Sequence, residues 1–72
     1  MNKLETLEHS VRTIGGLWDT QRAVTALRDA GQGEGDKRQQ EKRARWALRK
    51  LADAGLLTKL QDRPVQYRAI EK

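Results

Sequence analysis

The chain has 72 residues, with 15 Lys or Arg against 10 Asp or Glu, so its formal net charge at pH 7 is +5. This length predicts a single domain over residues 1–72. The absence of cysteine excludes disulfides and thiolate metal sites and favours a reducing compartment. Charges at Lys3, Glu5 and Glu8 interrupt the apolar run of a signal peptide, and no apolar stretch is long enough for a membrane span. We therefore expect a cytoplasmic protein with no membrane partner.

The first predicted helix covers residues 3–13. Asn2 and Glu5 have the spacing of a capping box, and Gly15-Gly16 would end the helix. Apolar residues recur every three or four positions, at Leu4, Leu7, Val11 and Ile14. This stripe favours closing the core of a small helical bundle. A homodimer contact is the alternative, since no other spare apolar surface is obvious.

The second predicted helix covers residues 20–30, with Asp19 or Thr20 as its cap. Its apolar face consists of Ala23, Val24 and Leu27. The glycine-rich segment 31–35 follows and is predicted to be a flexible loop. It lacks the preceding strand and the Lys-Ser/Thr ending of a phosphate-binding loop, so we interpret it as a linker.

The third predicted helix covers residues 36–54, beginning with the capping-box pair Asp36 and Gln39. One face consists of Ala44, Ala47, Leu48 and Leu51, and the opposite face of Gln39, Lys42, Arg43, Trp46 and Lys50. Seven basic residues between positions 37 and 53 face only two acidic ones. Few intrahelical ion pairs are therefore available, which favours a polyanionic partner over a merely solvated helix.

The last predicted element is a two-stranded β-hairpin over residues 56–70, with a turn at 61–64. Val65, Tyr67 and Ala69 would share one of its faces. The predicted fold class is therefore α+β, mainly α: a three-helix bundle with a C-terminal two-stranded β-hairpin. The positive charge is concentrated at this end, because residues 1–36 have four basic and six acidic side chains, whereas residues 37–72 have eleven and four.

Catalytic chemistry finds little support in the sequence. One histidine, no cysteine and scattered carboxylates do not make a usual metal site. His9 and Ser10 are neighbours on a predicted helix and point about 100° apart, so they cannot form an activated nucleophile pair. We expect a protein that is not an enzyme and has no metal, cofactor or small-molecule ligand.

The order helix, helix, helix, hairpin resembles the winged helix-turn-helix domains of bacterial regulators such as the GntR, MarR and ArsR groups. The motif Ala-x-x-Ala-Leu-x-x-Leu-x-x-x-Gly-Leu-Leu over residues 44–57 and Tyr67 in the second hairpin strand are the basis of this resemblance. In those families the third helix lies in the major groove of DNA and the hairpin, or wing, contacts the backbone or minor groove. This chain departs from them at the head of the third helix, where Gln40 and Arg43 replace the usual Ser and Thr.

The resemblance implies that the partner is double-stranded DNA. By position, it assigns DNA contacts to Arg38, Gln39, Lys42, Arg43, Arg45 and Arg49 on the third helix and to Arg63 and Arg68 on the wing. Thr20 and Gln21 are further candidates for phosphate contacts, because the N-terminus of a helix has free amides.

The expected function is that of a small stand-alone DNA-binding protein that regulates transcription, since the sequence shows no effector domain. One alternative is a winged helix adapter or antagonist that docks on an acidic protein through Trp46. A second is an excisionase-like architectural protein that bends DNA. Trp46 itself would pack on the first helix, on Trp18 or on a second subunit, or else contact DNA.

Overall fold

Three helices pack against a three-stranded antiparallel sheet in the computed structural model, which describes residues 2–70. The elements follow one another as α1 (Lys3–Ile14), β1 (Leu17–Asp19), α2 (Thr20–Asp29), α3 (Lys37–Asp53), β2 (Leu57–Asp62) and β3 (Val65–Ala69). The strand order is β1-β3-β2. The predicted class, α+β and mainly helical, is confirmed.

The three helices begin at the caps that the sequence indicates. The Asn2 side chain accepts a hydrogen bond from the Glu5 amide at 2.8 Å, and Asp19 accepts one from the Arg22 amide at 2.8 Å. Asp36 and Gln39 form a reciprocal capping box at the start of α3. The observed helix ends lie within one residue of the predicted ones, since cap residues belong only partly to a helix.

The prediction of a two-stranded hairpin is wrong in strand number, because β1 adds a third strand. β1 pairs with β3 so that Trp18 lies opposite Tyr67, and the Gly16 carbonyl accepts a hydrogen bond from the Ala69 amide at 2.8 Å. Three residues are too few for an alternating pattern to show in the sequence. A two-stranded hairpin alone is only marginally stable, and the third strand stabilises it by connecting it to the helices.

The hairpin turn is shorter than predicted. β2 continues to Asp62 and only Arg63 and Pro64 form the turn. The β2–β3 register shifts between Lys59 and Gln61, which leaves Leu60 half exposed. On β3, Tyr67 is buried and Val65 and Ala69 are partly buried against the core, so the face predicted to carry these three residues is the inner one.

One hydrophobic core lies between the helices and the sheet. It consists of Leu7, Val11, Trp18, Ala23, Val24, Leu27, Ala44, Ala47, Leu48, Leu51, Leu57 and Tyr67. Leu4 packs against this core, whereas Ile14 is 62% exposed. The apolar stripe of α1 therefore closes the core with three of its four members. No helix within residues 2–70 is both long and apolar enough to cross a bilayer.

Candidate nucleic-acid interface

The outer face of α3 presents a set of exposed cations. Its inner residues Ala44, Ala47, Leu48 and Leu51 are buried as predicted, which turns the opposite side of the helix to solvent. Six of the seven basic residues of α3 are exposed and make no ion pair with any residue between 2 and 70: Lys37, Arg38, Lys42, Arg45, Arg49 and Lys50. Four of the DNA contacts predicted for this helix therefore lie on one accessible surface: Arg38, Lys42, Arg45 and Arg49.

Arg43 is the basic residue of α3 that the structure uses internally. Its guanidinium donates to the Gln32 carbonyl at 3.2 Å and lies 3.3 Å from the Glu34 carboxylate, which also pairs with Lys3 at 3.3 Å. The hydrogen bond from Lys3, and to a lesser extent the charge of Arg43, keeps the pKa of Glu34 below its usual value. Arg43 thus connects α3 to the loop at 31–35 and is not part of the free outer surface.

Gln39 and Gln40 are also engaged within the chain. The Gln39 side-chain oxygen accepts from the Asp36 amide at 3.1 Å, and the Gln40 amide group donates to the Gly35 carbonyl at 2.8 Å. Both side chains help to fix the start of α3. A DNA contact that uses the Gln39 side-chain oxygen, such as bidentate binding to adenine, would therefore need the capping box to open.

The loop at 31–35 is held more firmly than its composition suggests. The Gln32 amide donates to the Leu27 carbonyl at 2.8 Å, and a side chain at Gly33 would come within 3.0 Å of Arg28. Together with the ion pairs of Glu34, these contacts fix the position of α3 relative to α2.

The hairpin places its cations on two different sides of the sheet. Arg68 lies on the face opposite to that of Tyr67, away from the core and α3, whereas Arg63 is exposed in the turn. Lys59, which is not among the DNA contacts predicted from the sequence, lies opposite Tyr67 on the neighbouring strand and faces α3. Only the strand register reveals this orientation, because β2 is almost entirely exposed.

A groove of about 410 Å³ separates α3 from the hairpin. Its lining residues are Arg45, Trp46, Arg49, Lys59, Asp62, Val65 and Tyr67. Lys59 pairs with Asp62 at 2.7 Å, and this hydrogen bond raises the pKa of Lys59. The two arginines are unpaired within residues 2–70, so the groove has a net positive charge.

The start of α2 lies next to this surface but carries negative charge. A second groove of about 220 Å³ brings Thr20 and Gln21 close to Arg45 and to Pro64 of the hairpin turn. The Gln21 side chain donates to Glu41 at 2.8 Å, and Asp19 caps the helix. Two carboxylates therefore adjoin the predicted phosphate contacts of Thr20 and Gln21, which weakens the attraction for an anion there.

Trp46 does not pack on α1 or on Trp18, as one interpretation of the sequence expected. Its side chain is 49% exposed on the outer face of α3, whereas Trp18 is 1% exposed in the core. Lys50 lies over the face of its ring, with Nζ 6.0 Å from the ring centroid. Contact with a second subunit or with DNA stays a prediction.

No group of three or more His, Cys, Asp or Glu residues in the described part of the chain is arranged to hold a metal ion. No known family model matches the sequence, and no curated protein or solved structure shows significant similarity to it. Function must therefore be inferred from the geometry and charge of the molecule itself.

Proposed function

We propose that the chain is a winged helix DNA-binding protein that holds duplex DNA between the outer face of α3 and the β2–β3 hairpin. The observation that supports this most directly is the set of six exposed basic side chains of α3 without an ion pair among residues 2–70. The helix, helix, helix, hairpin order behind the resemblance is also present, with β1 as an addition.

The arrangement of the charges distinguishes this surface from an ordinary solvated helix. Outside α3, three of the seven cations among residues 2–70 form ion pairs with carboxylates: Lys3, Arg12 and Lys59. On α3 six of the seven cations are unpaired among residues 2–70, and four of them share one side of this 17-residue helix, which is about 25 Å long at 1.5 Å per residue: Arg38, Lys42, Arg45 and Arg49. Such a helix fits the major groove, where its cations can reach phosphates on both strands.

Two kinds of contact follow from this geometry. Arg45 and Arg49 border the groove next to the hairpin and are placed to neutralise phosphates, which releases counterions and gives salt-dependent affinity. Arg38 and Lys42 extend along the outer face of α3, where a guanidinium can also bind guanine edges. In a cell, such a protein would act as a regulator of transcription.

A second candidate function is an adapter that binds an acidic protein. The half-exposed Trp46 beside two unpaired arginines favours it, because aromatic and arginine side chains are enriched in the centres of protein interfaces. An acidic helix could use the same groove. This function predicts no affinity for mixed-sequence DNA.

Fluorescence anisotropy of a labelled mixed-sequence duplex, titrated with the protein at several salt concentrations, tests the proposal. We expect binding that weakens steeply with salt. Arg49→Ala should reduce affinity about five- to ten-fold and lower the salt slope by about 0.9, the value for one phosphate contact.

Arg12→Ala is the matched control, since it also removes one positive charge but lies on α1, where Arg12 pairs with Glu8. It should leave the salt slope unchanged. Absence of binding at low salt by the folded protein, or an equal loss of affinity in both variants, would contradict the proposal.

A further inference from the structure

Trp46 lies near the middle of the outer face of α3, among the cations. On a helix its nearest side chains are those three and four positions away, which here are Lys42, Arg43, Arg49 and Lys50. All of these except Arg43 are exposed, and the ring also forms one side of the groove between α3 and the hairpin. A large apolar ring is therefore presented to solvent within the surface proposed to bind DNA.

The ring makes few polar or charged contacts within the described part of the chain. Its indole N–H has no hydrogen-bond partner among residues 2–70, and the 6.0 Å to Lys50 is at the limit of a cation–π contact. The indole N–H of Trp18, in contrast, donates to the Gly15 carbonyl at 3.1 Å. Trp46 thus offers both an apolar face and an unused donor.

Thymine is the base that matches both properties. In the major groove it presents the O4 acceptor beside its 5-methyl group, and this methyl is the one apolar group among the four base edges. Trp46 lines the same groove as Arg45 and Arg49, so a duplex whose phosphates these arginines hold would bring base edges close to the ring. Building on the DNA binding proposed above, we propose that Trp46 is a specificity-determining residue that packs against the methyl group of thymine.

Two duplexes of identical A·T-rich sequence, one made with thymine and one with uracil, test this contact. Uracil lacks only the 5-methyl group, so phosphates and hydrogen-bonding groups stay the same. We expect the protein to bind the thymine duplex more tightly, by about four-fold for each methyl group that it buries. Trp46→Ala should abolish this preference, and Trp46→Phe should keep part of it.

Arg49→Ala serves as the matched variant on the same helix face. It should weaken binding to both duplexes by the same factor and leave the thymine preference unchanged. Because Trp46 is half exposed, Trp46→Ala should retain the circular dichroism spectrum of the folded protein.

The possible failures can be told apart. Salt-dependent binding with equal affinity for both duplexes would overturn the thymine contact and leave DNA binding intact. A thymine preference that persists in Trp46→Ala would also overturn it, since the methyl groups would then act through another residue or through DNA shape. Absence of binding to either duplex would contradict the proposed function together with this inference.

Discussion

The two tryptophans of this chain define two regions with opposite surroundings. Around Trp18, α1, β1, α2 and β3 meet: its indole donates to Gly15, it lies opposite Tyr67, and the Arg22 guanidinium is 4.4 Å from its ring centroid. Around Trp46 the neighbours are exposed cations and an open groove. In the first region the indole N–H and the guanidinium of Arg22 both have a partner within the fold, whereas the exposed cations around Trp46 form no ion pair among residues 2–70.

This difference separates residues that stabilise the fold from residues that are available for binding. A cation near Trp18 is used to fix the fold, since Arg22 also donates to the Leu17 carbonyl. The cations near Trp46 bring no comparable contact and add mutual repulsion. Repulsion between unpaired like charges lowers the stability of the folded protein, and binding of a polyanion would remove this repulsion.

The largest effect is expected from Trp18→Ala. Truncation of a fully buried aromatic side chain costs about 3–5 kcal/mol, a large part of the total stability of so small a domain. Trp46→Ala, its counterpart in the other region, should change stability by less than about 1 kcal/mol. Urea unfolding followed by circular dichroism measures both, and equal losses would mean that the two regions do not differ in this way.

Arg43→Ala tests the boundary between the two regions. The variant loses a hydrogen bond to Gln32 and an ion pair with Glu34, so we expect a loss of about 1.5 kcal/mol in the free energy of unfolding. Arg45→Ala should leave stability within about 0.5 kcal/mol and reduce DNA affinity more than Arg43→Ala does. The reverse order of DNA affinities would place Arg43 in the binding surface, as the sequence predicted.

Asp36→Ala affects the start of α3, where the cationic face begins. Loss of the capping box should cost about 1 kcal/mol, because the amide of Gln39 loses its acceptor. Amide hydrogen exchange should become faster in the first turn of α3 and stay unchanged near Leu48. Uniform acceleration along the helix would show that the cap supports the whole helix and not only its first turn.

The smallest effect concerns pH. The pKa of Glu34 is lowered in the folded protein, mainly by its hydrogen bond from Lys3, so the stability it contributes is present above its ordinary pKa and is lost as the pH falls through the lowered value. In Glu34→Gln this part of the acid dependence should be absent. Urea midpoints of both proteins at about pH 6 and about pH 3 measure it, and the difference should be small because the pair is exposed.

Much of the fold follows from local sequence patterns. The caps at Asn2, Asp19 and Asp36 and the apolar faces of α2 and α3 predict the helices closely, because both signals depend on neighbouring residues. β1 is not predictable in this way. It exists because Trp18 pairs with Tyr67, 49 positions later in the chain, and single-sequence patterns contain no information on such a distant pairing.

The candidate site was predictable in charge but not in geometry. The excess of basic residues on α3 and the capping-box spacing of Gln39 are visible in the sequence, whereas the engagement of Arg43 depends on where the loop at 31–35 is placed. The register of the hairpin decides that Lys59 faces α3 and that Arg68 faces away. Neither the contacts of Arg43 nor the register of the hairpin can be derived from local sequence patterns, because both depend on residues that are distant in the sequence.

The pairing of β1 with β3 has a thermodynamic consequence for recognition. This pairing attaches the hairpin to the helices, and Pro64 in the hairpin turn lies beside Thr20 and Arg45. The hairpin and α3 are therefore already in position before a ligand binds. A preorganised surface loses little conformational entropy on binding. Calorimetry of the complex should therefore show a small negative heat-capacity change, close to that expected from the buried contact area alone and without the added contribution of coupled folding.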